Sequence, residues 1–383
     1  MTSWRWLVPS VTASLVALYF QHRFQSNQEH AVYVIGDIHG DVYCARHWVN
    51  RTGLIAEKKW TDTTSSLVFL GDYIDKGPTS RQTLEFVKSL TDQFPDHVTA
   101  ILGNHEIELL LDRDASRNAW GQGLGYFQLS YAAAHPAEYL NYLDSVKRED
   151  EIVVEALYNA SLEVYGLGMQ QQVFFAPHGD ILQYVQPELR ALVKERMSLY
   201  QENYLNAFRS GTELGTWLEQ RPILALKNGA LFVHGGVSSR AAQHLADGGI
   251  DRINQLFYQN ANEARLNKFL DSTAEGRAIY EMVVYRGNHA NNACVNLPKL
   301  LPEGASRLGV GHTPGRNVRI QCDGNFLALD SSLGRYFRNS GNEYCRGDKE
   351  QHSSNGRFRC RKMNEHCQGQ IIRIRNDLVE VIE

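Results

Sequence analysis

The sequence has no strong charge of either sign: 39 Lys and Arg against 43 Asp and Glu leave a formal net charge of −4 over 383 residues. That balance argues against a general binder of nucleic acid or of acidic membranes, since both call for a broad positive field. Cysteine is scarce: Cys44, Cys294, Cys322, Cys345, Cys360 and Cys367 are the only six. No two of them form a Cys-x-x-Cys pair, which argues against a structural zinc site of the usual spacing. Internal repeats and low-complexity tracts are lacking. So is an N-terminal apolar run of the roughly 20 residues that span a bilayer comfortably. Leu7 to Phe20 is mostly apolar but short, and Pro9, Ser10, Thr12 and Ser14 interrupt it. What remains is an ordinary globular composition, 43% hydrophobic and 21% charged, with length for one large domain or two ordinary ones.

The short apolar run still carries an expectation. Arg5 precedes it and His22-Arg23 follows. Its length suits a signal-peptide core, but the bulky Leu18-Tyr19-Phe20-Gln21-His22 offers no small-x-small cleavage site. Trp4 adds an interfacial aromatic, which fits an uncleaved signal anchor. Residues 1–30 are therefore read as a leader and linker. They would attach the protein to a membrane through residues 4–20 or send it to a secretory or lumenal compartment. A cytosolic-facing placement and a merely amphipathic or disordered leader stay open. In an oxidising compartment Cys345, Cys360 and Cys367 become disulfide candidates, and in the cytosol they stay thiols. Asn50-Arg51-Thr52 and Asn159-Ala160-Ser161 match the glycosylation acceptor, a triplet common by chance.

Three stretches organise the rest. Val32 to Gly40 is an apolar run that ends at Gly36 and is followed by Asp37 and His39. Ser66 to Gly77 repeats the design with Asp72 and Asp75, and Val98 to Glu106 with Asn104, His105 and Glu106. A buried strand that stops at glycine delivers the next side chains to a sheet edge, where a ligand reaches them. Helices are expected over Tyr43–Arg51, stopped by Gly53, and over Ser80–Leu90, so residues 32–106 read as β-α-β-α-β with parallel strands. Residues 107–229 read as a largely helical insertion: a loop marked by Gly121, Gly123 and Gly125, then helices over Ala137–Val146 and Pro187–Arg209. From Ala230 strands return. Ala230–Val233 ends at His234-Gly235-Gly236, Leu308–Gly311 at His312, and two hairpins close the chain, Val318–Cys322 with Phe326–Leu329 and Ile371–Arg375 with Leu378–Ile382.

The six candidate ligands are Asp37, His39, Asp72, Asn104, His234 and His312. Oxygen plus imidazole without thiolate suits Mn²⁺, Fe or Zn²⁺. One bridging carboxylate would hold two ions roughly 3.5–4 Å apart with a hydroxide between them.

These motifs, in order, resemble those of the phosphoprotein phosphatase family of binuclear metallophosphoesterases, over residues 31–106 and 222–333. The resemblance implies a calcineurin-like α/β fold: a two-sheet β sandwich flanked by helices, spanning residues 31–383, with the insertion at 107–229 and a Cys-containing segment at 334–383. It implies Asp37 and His39 on a first metal, Asp72 as the bridge, and Asn104, His234 and His312 on a second. It makes His105 the general acid and Asp75 the carboxylate that orients it. Arg286, in Tyr285-Arg286-Gly287, would clamp the phosphoryl oxygens with help from Lys76. The cofactors implied are two divalent ions, Mn first, with Fe or Zn as alternatives. The substrate implied is a phosphorylated protein or peptide, attacked directly by the bridging hydroxide.

Phe232–Val237, Gly309–Pro314 and Leu329-Asp330-Ser331 look most like the Shewanella-like branch. Lys76-Gly77-Pro78 stands where most of the family has Arg-Gly and is similar to the ApaH-like branch, whose members act on dinucleoside polyphosphates or RNA caps. Lysine keeps the charge but loses the planar fork. A pyrophosphohydrolase is therefore the alternative reading, and an inactive phosphate-binding scaffold a weaker one. Glu106 is expected behind the site and Asp330 in a loop-shaping role. His178, in Pro177-His178-Gly179-Asp180, has no strong strand before it and reads as structural or as part of the rim. Oligomeric state is left open.

Overall fold

The computed structural model describes residues 30–113, 135–166, 181–290, 293–335, 349–352, 357–360, 366–376 and 378–383. The leader, the Gly121–Gly125 loop, His178 and Cys345 lie outside the described residues. In chain order the elements of the first half are β1 (Ala31–Ile35), α1 (Val42–Thr52), β2 (Ile55–Ala56), β3 (Lys59–Trp60), β4 (Ser66–Phe69), α2 (Ser80–Gln93), β5 (Val98–Ala100), α3 (Asn104–Asp112), α4 (Arg148–Gly166), α5 (Arg190–Ala207) and α6 (Glu213–Glu219). The second half adds β6 (Leu224–Lys227), β7 (Ala230–Val233), α7 (Ser239–Asn260), α8 (Leu266–Ser272), α9 (Ala274–Val284), α10 (Ala293–Leu300), β8 (Arg307–Val310), β9 (Arg319–Gln321), β10 (Phe326–Ala328), β11 (Lys349–His352), β12 (Arg357–Cys360), β13 (Ile371–Arg375) and β14 (Leu378–Ile382).

Two five-stranded sheets form, ordered β14-β13-β1-β4-β5 and β6-β7-β8-β10-β9. The β1–β4 and β4–β5 pairs are parallel, as the β-α-β-α-β reading requires, and so are β7–β8 and β8–β10. All five side chains of β1 are buried, because each face of the strand meets something apolar. Val32 and Val34 point into the layer between the sheets, with Val68, Leu70 and Ile101 beside them and Phe232, Leu327 and Leu329 opposite. Tyr33 and Ile35 point the other way, into the larger core with Trp48 and Val49 of α1.

Local signals set most boundaries. The Asp41 side chain caps α1 by accepting from Cys44 N, and Gly53 ends the helix in the left-handed conformation (φ 68°). Both expected hairpins are present, with antiparallel registers for β9–β10 and β13–β14. Another was not anticipated: Asn228 (φ 48°) and Gly229 (φ 72°) turn β6 onto β7, so the second sheet begins at Leu224 rather than Ala230.

The helical segment differs more. Ala137–Val146 was expected to be an α-helix, but Pro136–Tyr142 is a 3₁₀ segment that ends in extended backbone at Leu143. Its Glu138 and Asn141 side chains are occupied with bonds to α2 and its approach loop rather than facing solvent. Pro187 opens a short 3₁₀ turn, Pro187–Leu189, before α5 begins at Arg190. Helix α4 was not foreseen, although its buried Val153, Leu157 and Ala160 recur at helical spacing. Among the described residues no helix is long and apolar enough to cross a membrane.

Among the described residues two disulfides cross-link the fold, Cys44–Cys367 and Cys294–Cys322. Of these four cysteines Cys367 was among the expected candidates; Cys44 meets it where β13 packs beside β1.

Candidate metal centre

The loops that follow β1, β4 and β5 converge with those that follow β7 and β8. Asp72 stands at the middle. Its Oδ1 lies 3.2 Å from His234 Nε2, and its Oδ2 lies 3.6 Å from His39 Nε2 and 3.7 Å from His105 Nε2. Two donor clusters share it, His39–Asp72–His105 and Asp72–His234–His312, each with ligand atoms within 4.8 Å of one another. Asn104 joins the second, its Oδ1 being 3.1 Å from His234 Nε2. Asp37 joins the first, with Oδ2 3.8 Å from His39 Nε2, and its oxygens accept from His312 N across the sheet boundary. All six predicted ligands are thus brought together. In place of Asp37, the first compact cluster contains His105.

The donor set fits cations. The Nδ1 atoms of His39 and His234 hydrogen-bond the carbonyls of Ile74 (3.0 Å) and Leu70 (2.6 Å), which fixes the rings with Nε2 facing inward, the atom that would hold a cation once it carries no proton. A cradle surrounds the acids: a Cβ on Gly103 would stand 2.2 Å from Asp72 Oδ1, and one on Gly311 2.4 Å from Asp37 Oδ1. His39, Asp72, Asp75, Lys76 and His312 all adopt left-handed backbone, a strained conformation for side-chain-bearing residues that clusters at functional sites.

Charge is arranged accordingly. Burial pushes Asp37 well above the usual carboxylate range, and Asp330 beside it adds to the effect. Asp72 is buried too, yet His234 and His105 hold it well below that range. Burial would lower His234, but the Asp72 and Asp37 carboxylates outweigh it and keep it up at about 9. Burial, His234 and Arg286 together push His312 down to about 2. A cation is already drawn in: Lys76 Nζ lies 2.5 Å from His39 Nε2.

Beside the clusters, His105 Nδ1 lies 2.5 Å from Asp75 Oδ2. Burial acts to lower His105, but Asp72 and Asp75 raise it, while burial raises Asp75. The exposed Arg286 donates from Nη1 to His312 O (2.8 Å) and Thr313 Oγ1 (3.1 Å), so its guanidinium stands at the edge of the second cluster. Glu106 lies behind. Its carboxylate accepts four backbone N–H bonds, from Asp72, Tyr73, Ile74 and Gly103, and so fastens the second loop to the third. Asp330 was expected only to shape a loop. It does so by accepting from Ser332 N, but it is also a buried acid next to Asp37. Its position after β10 repeats the strand-end signal of the other motifs.

A family model described as Calcineurin-like phosphoesterase matches residues 30–266. The chain belongs to that family. The match ends before His312, which only folding returns to Asp72 and His234. Over shorter stretches this phosphoesterase is 38% identical to the symmetrical bis(5'-nucleosyl)-tetraphosphatase of Salmonella arizonae, across 80 residues that make up 21% of this chain and 25% of that protein. It is 30% identical to the serine/threonine-protein phosphatase 6 catalytic subunit of Caenorhabditis elegans, across 96 residues, 24% of this chain and 27% of that one. The chain thus spans about a quarter of the length of these curated relatives. A cold-active protein-tyrosine phosphatase from a psychrophilic Shewanella species has the same fold, with a TM-score of 0.54 at 16% identity over 93% of this chain and 81% of that chain.

Proposed function

We propose that this phosphoesterase is a phosphatase that hydrolyses phosphomonoesters with the help of two divalent cations, and that its substrates are phosphorylated proteins or peptides. The observation that carries the reading is the convergence of both donor clusters on Asp72, beside the His105–Asp75 pair. Asp37, His39 and Asp72 would hold one cation, and Asp72, Asn104, His234 and His312 the other. The mixed oxygen and imidazole set suits Mn²⁺ first and Fe or Zn²⁺ next. When bound, such ions supply Lewis-acid charge and lower the pKa of a water.

The remaining chemistry belongs to the chain. His105, raised by two carboxylates, carries the proton that the leaving oxygen takes, and Asp75 keeps the ring turned toward it. Arg286 offers its guanidinium to the phosphoryl oxygens as charge builds on them. Lys76 does the same once its ammonium leaves His39. Because Arg286 is exposed, a phosphoryl group carried on a macromolecule can reach it. The two disulfides support a secretory or lumenal placement.

Lys76-Gly77-Pro78 and the local likeness to a tetraphosphatase favour a second reading, hydrolysis of dinucleoside polyphosphates. A panel assay with Mn²⁺ separates the two. Phosphopeptides carrying phosphoserine, phosphothreonine or phosphotyrosine should be turned over faster than diadenosine tetraphosphate. The reverse preference would overturn the phosphoprotein reading, and loss of all turnover of p-nitrophenyl phosphate would overturn the phosphatase itself.

A further inference from the structure

We propose that Glu138, from the helical segment between the third motif and the second sheet, is a positioning residue for the His105–Asp75 pair. The inference rests on the reading of His105 as the general acid. Glu138 is fully buried. Its Oε2 accepts from Ser80 N at 2.7 Å and its Oε1 from Arg81 N at 2.9 Å. These are the first two N–H groups of α2, which have no partner within their own helix. Thr79, the residue placed to cap them, makes no side-chain cap bond; its hydroxyl donates instead to Gly40 O at 2.7 Å. A carboxylate from a distant segment therefore does what the local cap does not.

The bonds continue toward the site. Ser80 Oγ accepts from Asp75 N at 3.0 Å, and Asp75 Oδ2 meets His105 Nδ1. The chain from Glu138 to the imidazole thus runs through two residues, Ser80, the first of α2, and Asp75. A second link is parallel to it: Asn141 Nδ2 donates to Glu138 Oε2 at 3.1 Å and to Pro78 O at 2.9 Å, next to the strained Asp75–Gly77 turn. Left-handed backbone at Asp75 (φ 70°) and Lys76 (φ 62°) persists only where neighbours over-determine it, and these bonds do so.

Glu138 is itself held. Tyr142 Oη donates to Oε1 at 2.9 Å, and the Tyr142 ring packs edge-on against Tyr204, which packs on Phe208. Burial pushes the Glu138 carboxyl up to about 8, against the pull of its donors. In this way the segment between the motifs reaches the chemistry without touching substrate.

The test uses leaving groups. A poor alkoxide leaving group needs the proton that His105 carries, whereas p-nitrophenolate leaves without one. Glu138→Gln keeps the volume but turns an amide N–H toward a backbone N–H. In the Mn²⁺-loaded enzyme it should lower turnover of an alkyl phosphate by about tenfold, the order expected for a small misplacement, and leave p-nitrophenyl phosphate within about twofold. Ser80→Ala should reproduce that selectivity, and His105→Asn should exceed it. The His105 Nδ1 proton, observed by NMR with diamagnetic Zn²⁺ in place of Mn²⁺, should shift in Glu138→Gln. An equal loss on both substrates, or an unmoved proton resonance in a variant that melts normally, would overturn the proposal. If His105→Asn itself spares the alkyl phosphate, the general-acid reading fails, and the proton resonance then decides the positioning role alone.

Discussion

The two sheets use the same device, a strand that ends in glycine and polar cargo, but they finish it differently. The first sheet delivers the carboxylates, the amide and the acid pair from three loops that fasten one another. Glu106 ties the Asp72–Ile74 backbone to Gly103, and Asp72 Oδ1 accepts from His105 N at 3.1 Å. The second sheet delivers two imidazoles, with Gly311 N donating to His234 O at 2.8 Å, and then leans on the first. His234 is held by Leu70 O, and His312 N donates to Asp37. The first three loops are tied chiefly to one another, and the second sheet's imidazoles are held by them. Asymmetry of this kind says which substitutions should be felt on both sides of Asp72 and which on one.

The largest effect should come from the shared carboxylate. Asp72→Asn removes the charge that keeps His234 high and that both clusters share. We expect turnover of p-nitrophenyl phosphate to fall by about 10³-fold or more, equivalent to about 4 kcal/mol, with metal content reduced at both positions. Retention of both metals and of activity would sever the link between the halves.

Glu106→Gln should act on the first half. An amide in that place can accept from only two of the four N–H groups and sets its own N–H against the others, at a cost of about 1–3 kcal/mol for each unsatisfied group. The predicted consequence is a 10–100-fold weaker metal affinity, greater for the ion held by His39 than for the one held by His234 and His312. Calorimetric titration reads the two steps separately. An unchanged titration would remove Glu106 from the site's support.

How much of this was legible in the sequence follows from the same comparison. Each motif loop is local: an apolar strand, a glycine and the cargo are contiguous, so Asp37, His39, Asp72, Asn104, His105, His234 and His312 could be named with no knowledge of their neighbours. Caps such as Asp41 and Gly53 are local too. Glu138 is the opposite case. Its function depends on Ser80, 58 residues earlier in the chain, and no spacing rule announces a cap supplied from another segment. Tertiary bonds of that kind also explain why Pro136–Tyr142 winds as 3₁₀ where helical propensity alone favoured an α-helix. Asp330 was expected only to shape a loop, although its motif follows a strand end like the others.

The Cys44–Cys367 disulfide gives the smallest effect on chemistry and tests how far the first loop is held without it. Cys44 lies in the first turn of α1, directly after the loop that carries Asp37 and His39, and the bond joins it to the approach of β13, 323 residues away. Proximity alone would have its removal loosen the loop that carries Asp37 and His39. Other contacts argue against that. Arg335 donates to both oxygens of Asp41, at 2.9 Å from Nε and 2.9 Å from Nη2, and β13 stays paired to β1 along four registered residues. His39 and Gly40 are held from the opposite side, by Asp72 O and Tyr73 O. Cys44→Ser should therefore lower the unfolding free energy by about 3 kcal/mol, chiefly by freeing the unfolded chain, and leave kcat within about twofold at a temperature where the variant is folded. Denaturant unfolding and turnover, measured on the same sample, check both. A tenfold loss of kcat without unfolding would mean that the first loop depends on this bond for its shape, beyond what Arg335, β13 and the Asp72–Tyr73 backbone supply.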